Sequence, residues 1–206
     1  VLIGHDIGSY VLQCFVTQEF KSGFQLDPTG LIFFNCPTPS VGKEWIARGH
    51  VNEIWYQSFH LTQLAVDLVG HSRKTTEIYL EHFLRHWSFC EEAYEPFLSQ
   101  MVEIFSSRNS IYGGFSWYKS NNDVRLKTIA GKKEPHNPKI KIPSAVLWGK
   151  HDPILRSNWA SHLHHNFEDI IIEFANKSGH FVHFEQPELA ADFVRTRLYQ
   201  WRQDHS

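Results

Sequence analysis

Apolar residues in this chain fall into two textures. Some form short blocks stopped by glycine, proline or asparagine, and others recur every three or four positions. Val1-Leu2-Ile3 stopped by Gly4 reads as the end of a buried parallel strand. From Ser9 to Phe20 the apolar residues Val11, Leu12, Phe15, Val16 and Phe20 take helical spacing, so a strand is expected to turn sharply into a helix across Gly4–Gly8. Gly30–Asn35 predicts a second strand, ended by Cys36-Pro37 and Pro39. Ser144–Trp148 predicts a third, stopped by Gly149. A helix around Ser157–His165, a strand at Ile170–Phe174 and a closing helix from Pro187 to Trp201 follow, with proline suited to that helix's first turn. Strands alternating with helices imply an α/β fold with a parallel sheet.

The middle of the chain is different. From 39 to 122 the pattern is helical, with segments near Ile54–Val69, Thr75–Trp87 and Ala93–Ser106, rich in aromatic residues. Nothing there resembles a core parallel strand. The expected organisation is a partial α/β core of residues 1–38 and 123–206, with 39–122 inserted as a helical cap over the carboxyl edge of the sheet. Residues 131–138 (GKKEPHNP) read as a solvated linker.

Composition narrows the function classes. The 206 residues include 20 Lys and Arg against 22 Asp and Glu, a formal charge of −2, which is no footprint for nucleic acid or an acidic membrane surface. No apolar run approaches the ~18 residues a membrane helix needs, and no signal-peptide pattern opens the chain. Cys14, Cys36 and Cys90 are too scattered for a disulfide framework, so a cytoplasmic setting is expected. The 15% aromatic content suits a core and equally the lining of an apolar pocket. His162, His164 and His165 lack a carboxylate at matching helical spacing and read as a solvated face, so no metal is expected.

Three segments carry candidate chemistry. Gly4-His5-Asp6-Ile7-Gly8 has the form of a nucleophile elbow with Asp at its tip, where flanking small residues relieve crowding and helix-start N–H groups lie beside the tip. An Asp there would attack carbon and form an ester. Asp152, in Leu147–Pro153, follows a strand as a candidate acid. His180, in Ser178-Gly179-His180-Phe181, follows the next strand as a candidate base. Functional groups of open α/β sheets gather at strand carboxyl ends, and the order nucleophile, acid, histidine suits a hydrolase.

These segments, with Gly179–Pro187 and the inserted motifs Gly49–His60, Leu68–Arg73, His82–Trp87 and Gly113–Lys119, resemble the α/β-hydrolase branch of soluble epoxide hydrolases and haloalkane or haloacetate dehalogenases. The likeness is greatest to bacterial epoxide hydrolases. It implies Asp6 as nucleophile, Asp152 as its acid partner, His180 as base, and Tyr56 and Tyr118 as cap hydroxyls holding the epoxide oxygen. Read from the residues alone, both tyrosines fit an aromatic core better than a site, and only the resemblance reverses that. The Ile7 backbone N–H would serve the oxyanion, with Trp55, Phe59, Trp117 and Phe181 around a small apolar epoxide. The products would be vicinal diols, with water as co-substrate and no cofactor.

The resemblance also implies strands, and a second oxyanion donor from a His-Gly type loop, ahead of the elbow. These amino-terminal strands are missing from the chain. The sheet would then expose an edge that favours a homo-oligomer or pairing with the missing segment, and loss of one oxyanion donor costs about 10²–10³ in rate. Dehalogenation uses the same Asp–His–Asp core. However, Ile7 stands where haloalkane dehalogenases usually carry Trp and haloacetate dehalogenases commonly carry Arg, so epoxide opening is preferred, and Trp55 and Trp117 keep dehalogenation as the runner-up. A non-catalytic module that binds an apolar ligand or a protein is the third reading.

Overall fold

The computed structural model describes residues 1–22, 27–132 and 139–203, so most of the expected linker, 133–138, lies outside the described residues. Its elements in chain order are β1 (Leu2–His5), α1 (Ile7–Ser22), β2 (Leu31–Phe34), α2 (Trp55–Phe59), α3 (Gln63–Val69), α4 (Arg73–Trp87), α5 (Glu95–Phe105), α6 (Arg108–Ile129), β3 (Ser144–Gly149), β4 (Ile170–Ala175), α7 (Val182–Glu185) and α8 (Pro187–Gln203). Turns of 3-10 helix cover Pro39–Trp45, Ala47–Asn52 and Ser157–His165. The last of these is where the sequence pattern predicts a full helix.

The residues divide into two compact units. The first holds the described residues of Val1–Val41, Ser88–Cys90 and Pro135–Ser206, and the second those of Gly42–Trp87 and Glu91–Glu134. Helix α6 belongs to the second unit and carries it beyond residue 122.

In the first unit the four strands form one parallel sheet in the order β1-β2-β3-β4. The central strands β2 and β3 are buried along their whole length, as expected of unbroken apolar runs covered on both faces. Successive side chains alternate between faces. Ile32 and Phe34 of β2, with Ala145 and Leu147 of β3, join Val182, Ala190, Phe193 and Trp201 in one core cluster, while Phe33 meets Phe167 at 5.7 Å between ring centroids. Gly30 is required beneath α8, because a Cβ there would stand 2.1 Å from the Trp201 ring. The edge strand β1 leaves Ile3 51% exposed. Register pairs His5 with Phe34, Phe34 with Leu147, and Gly149 with Ala175, so the turns after all four strands open at one end of the sheet.

The second unit is helical as the pattern predicts, but its breaks differ. The expected segment 54–69 is two helices, split where Thr62 caps α3 by accepting from the Ala65 N–H at 3.1 Å. The 22-residue α6 was not marked as an element by the apolar pattern. Ala65, Val66 and Val69 of α3 pack on Ile111 and Phe115 of α6, with Phe59 and Tyr79 at the margin.

Candidate active site

The turn after β1 holds Asp6 at φ 45°, in the left-handed region that few residues other than glycine adopt. Gly4 makes the turn possible, since a Cβ there would stand 2.9 Å from the Gly8 carbonyl carbon and the Ser9 nitrogen. Gly8 plays no such part. A Cβ there meets nothing within 4 Å among the described residues, so the expectation that both glycines relieve crowding holds only for Gly4. The Asp6 side chain stays 28% exposed at the tip, and the Ile7 N–H is hydrogen-bonded to its carboxylate.

His180 follows β4 and is buried. Its Nε2 lies 4.0 Å from Asp6 Oδ2, and its Nδ1 is 2.8 Å from Asp152 Oδ2, donating to that oxygen. Asp152, in the turn after β3, is buried and held by four donors. The Ile154 and Leu155 N–H groups meet Oδ1 at 2.8 and 2.9 Å, while Asn35 Nδ2 and His180 Nδ1 share Oδ2. Asp6, His180 and Asp152 thus form a linear chain of carboxylate, imidazole and buried carboxylate.

Electrostatics follow from this packing. Burial raises the Asp6 pKa, opposed by the positive charge that His180 can carry and by the Ile7 N–H. Burial alone would lower the His180 pKa. The Asp152 charge and hydrogen bond, with Asp6 and Glu185, overcome it and raise His180 to about 8. His5 donates through Nε2 to the His180 carbonyl at 2.8 Å, and its ring lies 4.7 Å from that of His180 and 4.8 Å from that of His183. Burial first, and then the neighbouring imidazoles, push the His5 pKa well down; burial and His180 take His183 to about 4. His180 is therefore the member of this histidine cluster that titrates near neutrality.

Three supporting residues were not marked as functional by the sequence. Asn35, just after β2, donates to Asp152 Oδ2 and accepts from the Gly149 N–H. Glu185 of α7 gathers four backbone donors: Gly179 N (2.8 Å) and Phe181 N (3.2 Å) at Oε1, Phe89 N (2.6 Å) and Cys90 N (2.9 Å) at Oε2. Gly149, read from sequence only as a strand stop, lies so close to the His180 turn that a Cβ would stand 1.7 Å from the Gly179 carbonyl oxygen. The nearest sequence signal for any of them is their position at or just beyond a strand or helix end.

Of the other expected site residues, Phe181 sits in the first unit, its ring 5.0 Å from that of His180. The remainder lie in the second unit. Tyr56 and Tyr118 meet edge to face at 5.8 Å and 90°, and Tyr56 is buried against Phe83 and Trp87. Trp55 is 47% exposed and stacks on Phe83. Phe59 borders the α3–α6 core, and Trp117 is half-buried on α6. His60, buried beside both tyrosines, stacks on Phe115 at 3.9 Å, bonds the Tyr79 hydroxyl, and is pushed by burial to a pKa of about 3. Among the described residues no group of three or more His, Cys, Asp or Glu side chains is placed to hold a metal ion, and no helix is long and apolar enough to cross a membrane.

No protein-family model matches the chain, and no curated protein matches it. Solved structures do. Cfl2 from Burkholderia cenocepacia aligns with a TM-score of 0.72 and 21% identity, over 94% of this chain and 63% of that one. The epoxide hydrolase CorEH aligns with a TM-score of 0.74 and 21% identity, over 93% of this chain and 65% of that one. An epoxide hydrolase of Bacillus megaterium, solved with an inhibitor, aligns with a TM-score of 0.71 and 16% identity, over 97% and 69%. The chain therefore spans less than two thirds of the length of the first two, and identities at this level speak to fold. Others that match are described as α/β hydrolases, and the parallel sheet with its elbow, acid turn and histidine turn has the α/β-hydrolase fold.

Proposed function

We propose that this site opens epoxides to vicinal diols through an ester on Asp6. The observation that carries the reading is the geometry of the first unit: a carboxylate at the tip of a left-handed elbow, 4.0 Å from a histidine that is itself 2.8 Å from a buried carboxylate. An Asp at the tip, where serine would form an acyl-enzyme, suits attack on a saturated carbon. Neighbours of the same fold described as epoxide hydrolases support the choice of electrophile.

In the first step an Asp6 carboxylate oxygen attacks a ring carbon and the carbon–oxygen bond of the ring breaks. The departing alkoxide takes a proton from Tyr56 or Tyr118, whose phenols act as the acids in this reading. Arg125 stands near enough to both phenols to interact electrostatically with them, which favours the phenolate left behind. In the second step neutral His180 takes a proton through Nε2 from a water that attacks the Asp6 ester carbonyl. The Ile7 N–H stabilises the oxyanion. Collapse releases the diol, whose alkoxide takes the proton back from His180; Asp6 is left as the carboxylic acid with one oxygen from water, and its proton, passed through water to the phenolate, restores both groups. Because the base must be neutral, ester hydrolysis is expected to accelerate with rising pH, over a range below about 8, since the ester removes the Asp6 charge that helps to hold His180 up.

The test is an intact-mass trap. His180→Ala blocks the second step and leaves the first possible. Incubated with an aryl epoxide, it should gain the mass of the whole epoxide, and the further Asp6→Ala change should abolish the gain. Phe at both Tyr56 and Tyr118 should slow the gain by about 10²-fold or more, the scale of general-acid catalysis. An adduct formed only with a chloroalkane, lighter by HCl than the sum, would move the assignment to dehalogenation. A folded protein that binds epoxide without ever forming an adduct would support the non-catalytic module.

A further inference from the structure

We propose that Asn35 is a positioning residue of this site: its carboxamide holds the Asp152 oxygen that faces His180 and ties the acid-bearing turn to the base-bearing turn. The inference rests on the reading of Asp6, His180 and Asp152 just given, and goes beyond it by adding a fourth member.

Asn35 is fully buried where β2 ends between β1 and β3, at φ 45°. Asparagine is among the few residues that accept this backbone readily. Its polar atoms serve every catalytic turn. The backbone N–H donates to the Leu147 carbonyl at 3.3 Å, and the backbone carbonyl accepts from the Asp6 N–H at 3.2 Å. The side-chain Oδ1 accepts from the Gly149 N–H at 3.0 Å. Nδ2 donates to Asp152 Oδ2 at 2.5 Å and to the Gly179 carbonyl at 3.3 Å. The orientation of the amide is forced, because an N–H can meet only its oxygen, and a carboxylate and a carbonyl can meet only its NH₂. A strand end needs one such bond. Here a single side chain joins the acid's carboxylate, the glycine before the acid turn and the glycine before the base.

The position has a chemical consequence. Asp152 Oδ2 receives two donors, Asn35 Nδ2 and His180 Nδ1. The amide draws negative charge from the oxygen on which the imidazolium depends, so His180 is held less basic than against a carboxylate without that donor. A base kept near working pH retains the neutral form that must activate water. Among the described residues, the other ionisable groups facing His180 include Asp6, Glu185, His5 and His183.

The test follows the His180 ring proton by NMR through a pH titration of the full chain without ligand. Asn35→Asp puts a second carboxyl group where the donor was, and should raise the His180 midpoint by about one unit or more, as expected for an added opposite charge at close range. Asn35→Gly keeps the left-handed backbone and removes only the side chain. It should move the midpoint the same way by less, and it decides the matter if the Asp variant does not fold. A midpoint unchanged or lowered in the folded variants would overturn the inference, even if the melting temperature fell. The two readings fail separately. A shifted midpoint with an empty epoxide trap removes the proposed chemistry alone, while a filled trap with an unmoved midpoint removes the role of Asn35 alone.

Discussion

Gly149→Ala is a small change that should separate Asp152 from His180. Its Cβ would be built 1.7 Å from the Gly179 carbonyl oxygen and 2.7 Å from the carbonyl carbon. An ordinary carbon–oxygen contact needs about 3.3 Å, so one backbone segment must move by about 1.6 Å. Neither is free to yield. Gly149 pairs with Ala175 at the end of β3 and donates to Asn35, while Gly179 N is held by Glu185 and the next residue is His180. The His180–Asp152 hydrogen bond at 2.8 Å cannot absorb such a displacement. Overpacking of this kind costs about 1–3 kcal/mol. For a chain of this size that corresponds to a drop of roughly 2–12 °C in melting temperature, and misplacement of a catalytic group by about 1 Å costs about 10² in rate. Gly8→Ala supplies the control: its Cβ enters open space at the start of α1, and alanine should add about 0.4–1 kcal/mol. Thermal melts of both variants, with the His180 Nδ1 proton resonance in each, form the assay. Equal melting temperatures for wild type and Gly149→Ala, with that resonance unmoved, would refute the argument. So would a loss at Gly8 as large as at Gly149.

Trp201→Ala empties the side of the sheet core that α8 closes over Gly30 and should cost about 3–5 kcal/mol, read as a lower urea midpoint. The raised His180 pKa stabilises the fold fully below the unfolded value near ~6.5, and the contribution is lost as pH passes about 8. That amounts to about 2 kcal/mol, which Asp152→Asn should flatten in melts taken across this range. His60 has the opposite sign. Its depressed pKa supports the second unit above the unfolded value and ceases to do so as pH falls toward about 3. The helical unit should therefore loosen in acid, and His60→Phe, which can keep the stack on Phe115, should remove that acid limb of the circular-dichroism profile.

What the sequence disclosed about this molecule was local, and what it concealed depends on distant pieces of chain. The strands β2 and β3 were legible because a strand buried on both faces must be apolar throughout, and the elbow because a tight turn demands glycine at position 4. The same rule misled at Gly8, where the turn has room to spare. The second unit announced its helical texture, but Thr62 splits one expected helix, and α6, with Ser, Asn and Lys scattered through it, shows no continuous apolar stripe. Trp55, expected to line a pocket, stacks on Phe83 with half its surface outside. Asn35, Gly149 and Glu185 are unremarkable letters in sequence: a strand-end asparagine, a stopping glycine, a carboxylate ahead of a proline. The importance of Asn35 and Gly149 arises only when parallel register brings strand ends together, so that Asn35 spans 117 positions to reach Asp152, and that of Glu185 only when α7 meets the segment after α4, 96 positions away at Phe89. Candidate nucleophiles and bases can be found by their own chemistry. The groups that hold them in place must be found by asking which buried polar atoms complete one another, and in this fold that question leads from Asp152 to Asn35.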